Sequence, residues 1–212
     1  MAEPDEGEAF WRERFDMTGA EPWTWLFRAR GLRRSATALY RRFEEENERL
    51  LERAHGGDAQ ALGKAKEYDL IPSCLLLAAL AIENLIKGVL VRVQPDTFRD
   101  GQLPTVLNDH DLERLCDRAG IPVTEPDERE LLDELTDVLK WMGRYPVPRK
   151  YRDFMPRKQP DGTTMWRAPG ICTSVSNVVR TGAFLTFERL FDRLAAYCTV
   201  VVAGQVMEMD GL

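Results

Sequence analysis

Few side chains in this chain of 212 residues can move a proton near neutral pH, and only two of them are histidines, His55 and His110. His110 stands in NDHDLERL, where Asp109 is placed to cap a following helix. Upstream, the stretch AIENLIKGVLV sets Glu83, Asn84 and Lys87 inside an apolar run. On a helix, residues four apart share a face, so Glu83 and Lys87 can pair. Just past the expected cap, the ring of His110 could reach a carboxylate such as Glu83 or accept from a backbone donor. Arg144 and Tyr145 follow the expected end of another helix, with Arg149 and Lys150 just beyond. An imidazole for the proton, a carboxylate to orient it and fixed cations for negative charge are what a site for an anion or a nucleotide needs. Each residue also has a plainer reading. A buried Glu–Lys pair first solvates itself, a histidine near a helix start is often a framework residue, and Arg144 and Tyr145 can simply meet the last carbonyls of their helix.

No metal site is expected. Cys74, Cys116, Cys172 and Cys198 are widely spaced without a CxxC pair, and only His55 and His110 could join them, a pattern that does not suit a structural zinc site. No glycine-rich phosphate loop or internal repeat occurs, so the sequence implies no cofactor.

The elements that must position these residues are helical. Leu32, Ala36, Tyr40, Phe43, Asn47, Leu50 and Ala54 recur every three or four positions, which predicts a long amphipathic helix ending at Gly56 and Gly57. A second helix starts near Pro72, which suits a first turn, and runs to about Arg92. A broken stretch from Val93 to Asn108 follows, then a third helix to Ala119 with Gly120 as its stop. Thr124 and Asp127 resemble a capping box for a fourth helix with the stripe Leu131, Leu135, Val138 and Met142, closed by Gly143. Phe184, Phe187, Phe191, Leu194, Cys198 and Val201 mark the last one. These readings predict an all-α fold, an antiparallel bundle of about five helices in one domain over 28–212. Residues 1–27, rich in acids and aromatics, are expected to pack on it as an N-terminal segment, and 144–170 to form a long irregular basic loop before the last helix.

Hydrophobic residues make up 44% of the chain and charged ones 30%, with a net charge of −6. That composition suits a globular core and excludes a surface uniformly basic enough to coat nucleic acid or membrane. Charge is nevertheless uneven. From Lys140 to Arg167 there are eight basic residues against Asp153 and Asp161, a net of +6 that leaves −12 for the remainder. Trp141, Tyr145, Tyr151, Phe154 and Trp166 lie among them. Cations interleaved with rings are what a groove for single-stranded nucleic acid or a nucleotide uses. The same rings would also pin a long loop to a bundle while the cations stay in water.

The apolar run from Leu75 to Val91 would span about 26 Å as a helix, but Glu83 and Lys87 near its middle would be costly in a bilayer. A buried core helix without membrane contact is expected. The acidic opening MAEPDEGEAF lacks the basic-then-apolar pattern of a secretory signal. Cytoplasmic localisation with reduced thiols is the corresponding expectation.

Taken in order, AIENLIKG, NDHDLERL, AGI before an acidic helix start, and WMGRYPVP resemble the HEPN family across roughly Leu32 to Pro148. That family comprises helical domains found with nucleotidyltransferases and in defence or toxin–antitoxin type systems. Many members are metal-independent ribonucleases that pair an arginine with a histidine a few residues later, contributed by two protomers at a dimer interface. Only RLLERAH, Arg49 to His55, has such spacing here. It falls at the end of the first long helix, and Leu50 occupies the polar position. No histidine follows His110, so Arg144 cannot begin that motif. The resemblance therefore implies the non-catalytic branch: a binding module, acting as a homodimer, for RNA, a nucleotide or a protein partner. Its ligand residues would be Glu83, Lys87, His110, Arg144, Tyr145, Arg149 and Lys150. A divergent ribonuclease using His110 with Arg144 or Glu83 is the enzymatic alternative, and a structural protein-interaction subunit is the third.

Overall fold

A computed structural model of the chain describes residues 6–58, 60, 70–94, 98, 101–142, 157–158, 164–165 and 176–209. The first element, α1 (Glu6–Ala20), leads directly into the long α2 (Pro22–His55). Glu21 caps α2, accepting from the Trp23 N–H at 3.1 Å, and Pro22 sits where a missing N–H costs nothing. Next come α3 (Ile71–Val93), a 3₁₀ turn at Thr105–Asn108, α4 (Leu112–Ala119) and α5 (Pro126–Asp137), which runs on into a π-helical turn at Val138–Met142. The last helix is α6 (Ser176–Met209). The all-helical expectation holds. Six α-helices are present among the described residues, one more than the sequence periodicity suggests, because α1 arises from the segment that lacked a clear stripe.

Four details differ from the sequence reading. Residues 22–27, taken as part of the N-terminal segment, belong to α2. The cap of α4 is Asp111, which accepts from the Arg114 N–H at 3.3 Å, while Asp109 accepts from the Asp111 N–H at 3.1 Å in a turn before the helix. No Thr124 capping box forms: Glu125 is the N-cap of α5 and makes no side-chain cap bond. Within the expected irregular loop, β1 (Arg157–Lys158) and β2 (Thr164–Met165) pair antiparallel, Arg157 opposite Met165. The side chain of Met142 and the stop at Gly143 lie outside the described residues.

The core forms around α3. Cys74, Ala78, Ala79, Ile82, Leu85, Ile86, Val89 and Leu90 are all buried, so the helix is covered on most of its circumference. It packs on α2, α4, α5 and α6. Among the described residues it is the one helix long and apolar enough to cross a bilayer, and 72% of that stretch is buried inside the bundle. Gly88 allows its close approach to α2, where an added Cβ would lie 3.1 Å from that of Trp25. Gly120 ends α4 at φ +67°, a left-handed position that favours glycine.

Side chains tie the layers together. Tyr40 of α2 stacks on Phe184 of α6 with centroids 3.9 Å apart. Thr136 of α5 accepts the N–H of Leu112 at 3.0 Å, satisfying one of the donors that every helix start leaves unpaired. Arg193 of α6 donates to the buried carboxylate of Glu128 in the first turn of α5, its Nε 3.1 Å from Oε1. On α1, Phe15 meets Phe98 at 6.3 Å and Asp16 accepts the Gly101 N–H at 3.0 Å, so both contacts bind α1 to the segment after α3.

Candidate functional site

Glu83 lies mid-way along α3 and is 5% exposed, with Ile82, Leu85 and Ile86 buried beside it. An ionised carboxylate in such surroundings must be paired and hydrogen-bonded. Lys87, one turn on and 6% exposed, supplies the first partner, with Nζ donating to Oε1 at 2.9 Å. His110 supplies the second, its Nδ1 2.7 Å from that same oxygen. Asn84 does not join them. It donates to the carbonyl of Leu80 at 2.7 Å and belongs to the framework.

The position of His110 follows from its flanks. Leu107 and Leu112, buried on either side, anchor the segment between the 3₁₀ turn and α4. Asp109 stiffens it further, accepting from the Arg114 Nε at 2.5 Å and lying 3.3 Å from Arg118. The hydrogen bond from Arg114 holds the Asp109 carboxyl well below the usual carboxylate range, outweighing the opposing effect of burial. Lys140, on the π-helical turn that follows α5, reaches Asp111, the residue after His110, at 3.3 Å. Such turns inside helices are frequently found at functional positions.

Chemically, the arrangement fixes one edge of the imidazole. A carboxylate accepts only, so Nδ1 carries the hydrogen, and in neutral His110 the lone pair resides on Nε2. The His110 side chain is 44% exposed while that of Glu83 is 6% exposed, so the ring spans from a buried anion to solvent. Glu83 and Lys87 cancel in charge, leaving the ring neutral in one protonation state and the constellation at +1 in the other. It can hold an anion or exchange a proton at its outer edge. Among the described residues no cluster of three or more histidine, cysteine or acidic side chains suits a metal ion.

Of the residues singled out from the sequence, Glu83, Lys87 and His110 come together. Arg144, Tyr145, Arg149 and Lys150 lie outside the described residues. RLLERAH is framework: Leu50 is buried in the core, Arg49 pairs with Glu46 at 3.5 Å, and His55 is the last residue of α2. The sequence reading does not place Asp109, Asp111 and Lys140 in the site, although DHD and the lysine that opens the basic stretch are visible in it.

A separate groove of about 600 Å³ lies between α2 and α6, lined by Arg30, Arg33, Arg34, Thr37, Arg41 and Glu188, among others. It is on a different seam of the bundle from His110. The chain matches no family model, no curated protein and no solved structure with which it was compared.

Proposed function

We propose that the chain is a HEPN-like binding module, an antiparallel bundle acting as a dimer, that holds RNA or a nucleotide at the mouth around His110. The observation that carries this reading is the half-exposed imidazole seated on the buried Glu83–Lys87 pair, 2.7 Å from Glu83. In this reading His110 presents its outer nitrogen to a phosphate or base edge. Arg144, Arg149 and Lys150 neutralise phosphates, and Tyr145 offers a ring face. Fluorescence anisotropy with a labelled ten-nucleotide RNA and with ATP tests it: His110→Ala should weaken the ligand that binds about tenfold or more, with affinity falling steeply as salt rises. A flat salt response would instead mark a protein-interaction subunit.

One observation favours a second reading, a metal-independent ribonuclease. With Nδ1–H donated to Glu83, Nε2 is free to take the proton of a 2′-hydroxyl, and Glu83 stabilises the imidazolium that results. Incubation of RNA with the wild-type chain and with His110→Ala, both in EDTA, separates the two. Cleavage that vanishes in the variant supports the enzyme. Cleavage unchanged by the substitution, or none in either sample, leaves the binding module.

A further inference from the structure

The seam between α2 and α6 has a chemistry of its own. Arg28, Arg30, Arg33, Arg34, Arg41 and Arg42 all fall within residues 28–42, which contain no aspartate or glutamate. Arg33 is committed to the fold. Its Nε lies 2.8 Å from Glu188 and its Nη1 2.6 Å from Asp192, with the guanidinium 4.7 Å above the Phe191 ring. Thr37 donates to the other oxygen of Glu188 at 2.6 Å. The two acids that α6 turns toward the groove are thus held by Arg33 and Thr37, and set against the four arginines of the lining they leave the groove at a net +2, with the other arginines outside their hydrogen bonds.

Those others are Arg30, Arg34 and Arg41, all exposed, and among the described residues none has an acidic partner. At 100° and 1.5 Å per residue they occupy a sector of about 40° and extend over about 16 Å of helix. Like charges one turn apart repel, so this row works against the helix that carries it. The small side chains of Ala38 and Ala195 line the groove between the arginines, leaving it open along its length.

We infer that the row Arg30, Arg34 and Arg41 binds the phosphate backbone of a nucleic acid without reading its bases. Three features select this ligand. All basic groups of α2 apart from its terminal His55 are arginines, whose planar forks match phosphate bidentately. Successive cations along one line suit repeated phosphates better than a single small anion. Among the described lining residues the one ring, Phe191, is 1% exposed and covered by Arg33, so it offers no face on which a base could stack. An acidic protein segment is the competing occupant, and the polyglutamate arm of the test below decides against or for it.

The test uses the full chain and its R30Q/R34Q/R41Q variant, with labelled 20-nucleotide RNAs of two unrelated sequences and a 20-residue polyglutamate peptide. Removing the charges relieves repulsion, so the variant should keep the wild-type circular dichroism and melting temperature. Both RNAs should bind the wild type alike. In the variant, binding at 0.1 M salt should fall at least about tenfold, and the slope of log K against log salt should shrink by about two, for three phosphate contacts on a single strand. Unchanged affinity and slope would overturn the inference, as would absence of RNA binding by the wild type or tighter binding of polyglutamate than of RNA. His110→Ala, measured alongside, keeps the two sites distinct. Loss in R30Q/R34Q/R41Q alone supports the arginine row, whereas loss in His110→Ala alone overturns it and leaves the His110 mouth.

Discussion

A single oxygen of Glu83 accepts from Lys87 at 2.9 Å and from His110 at 2.7 Å, so a residue of the buried central helix is joined directly to a ring that faces solvent. The core pair and the exposed ring thus share one acceptor atom.

Breaking the pair should be costly in a characteristic way. Glu83→Gln leaves the Lys87 ammonium without its counter-ion, and Lys87→Met leaves Glu83 with His110 alone. Each should destabilise by about 3 kcal/mol, while the double variant E83Q/K87M should lose less than the two singles together. Urea unfolding of the four proteins measures this. Strict additivity would mean that the two side chains act independently.

The pair joining α5 to α6 should respond asymmetrically. Glu128 is 2% exposed, whereas Arg193 is partly open to water. Arg193→Ala strands a buried carboxylate and should cost about 3 kcal/mol, while Glu128→Gln lets the guanidinium return to solvent and should cost less. Equal losses, measured by denaturant midpoints, would contradict this.

Asp109 gives the acid limb of stability a defined sign. Its carboxyl ionises more readily folded than unfolded because of Arg114. It therefore contributes stability that is fully present above the ordinary value of 3.8 and fades as pH falls below it. Asp109→Asn should lower the melting temperature at pH 7, and the difference from wild type should narrow below about pH 4. A difference that widens with acid would reverse the assignment.

Thiol chemistry reports on the core. Burial pushes the Cys116 and Cys198 thiols up to about 12. Both should resist a disulfide reagent at pH 8 in the native protein and react on unfolding, as read by peptide mass spectrometry. Rapid native labelling of either would show that the packing around α3 opens readily.

How much of this was legible depends on the range of each interaction. The apolar run from Leu75 to Val91 announces α3, Gly120 announces the end of α4, and the four-residue spacing announces Glu83–Lys87, because each signal is local. The His110–Glu83 contact spans 27 positions, yet the predicted helix start narrowed the candidates. The capping of α4 was misplaced by two residues because Asp109 and Asp111 both suit the role, and the choice is made by the 3₁₀ turn that precedes them. Nothing local marks the π-helical turn. The α2–α6 groove depends on Arg33 meeting Glu188, 155 residues away, and along the chain those arginines read only as a solvated face.

The most direct test of the central claim is long-range ¹H–¹⁵N NMR of the His110 ring, assigned against His55→Ala. In the free neutral protein the hydrogen should reside on Nδ1, and addition of a ten-nucleotide RNA or ATP should shift Nε2. A hydrogen on Nε2, or an unmoved His110 resonance under saturating RNA or ATP, would contradict the account.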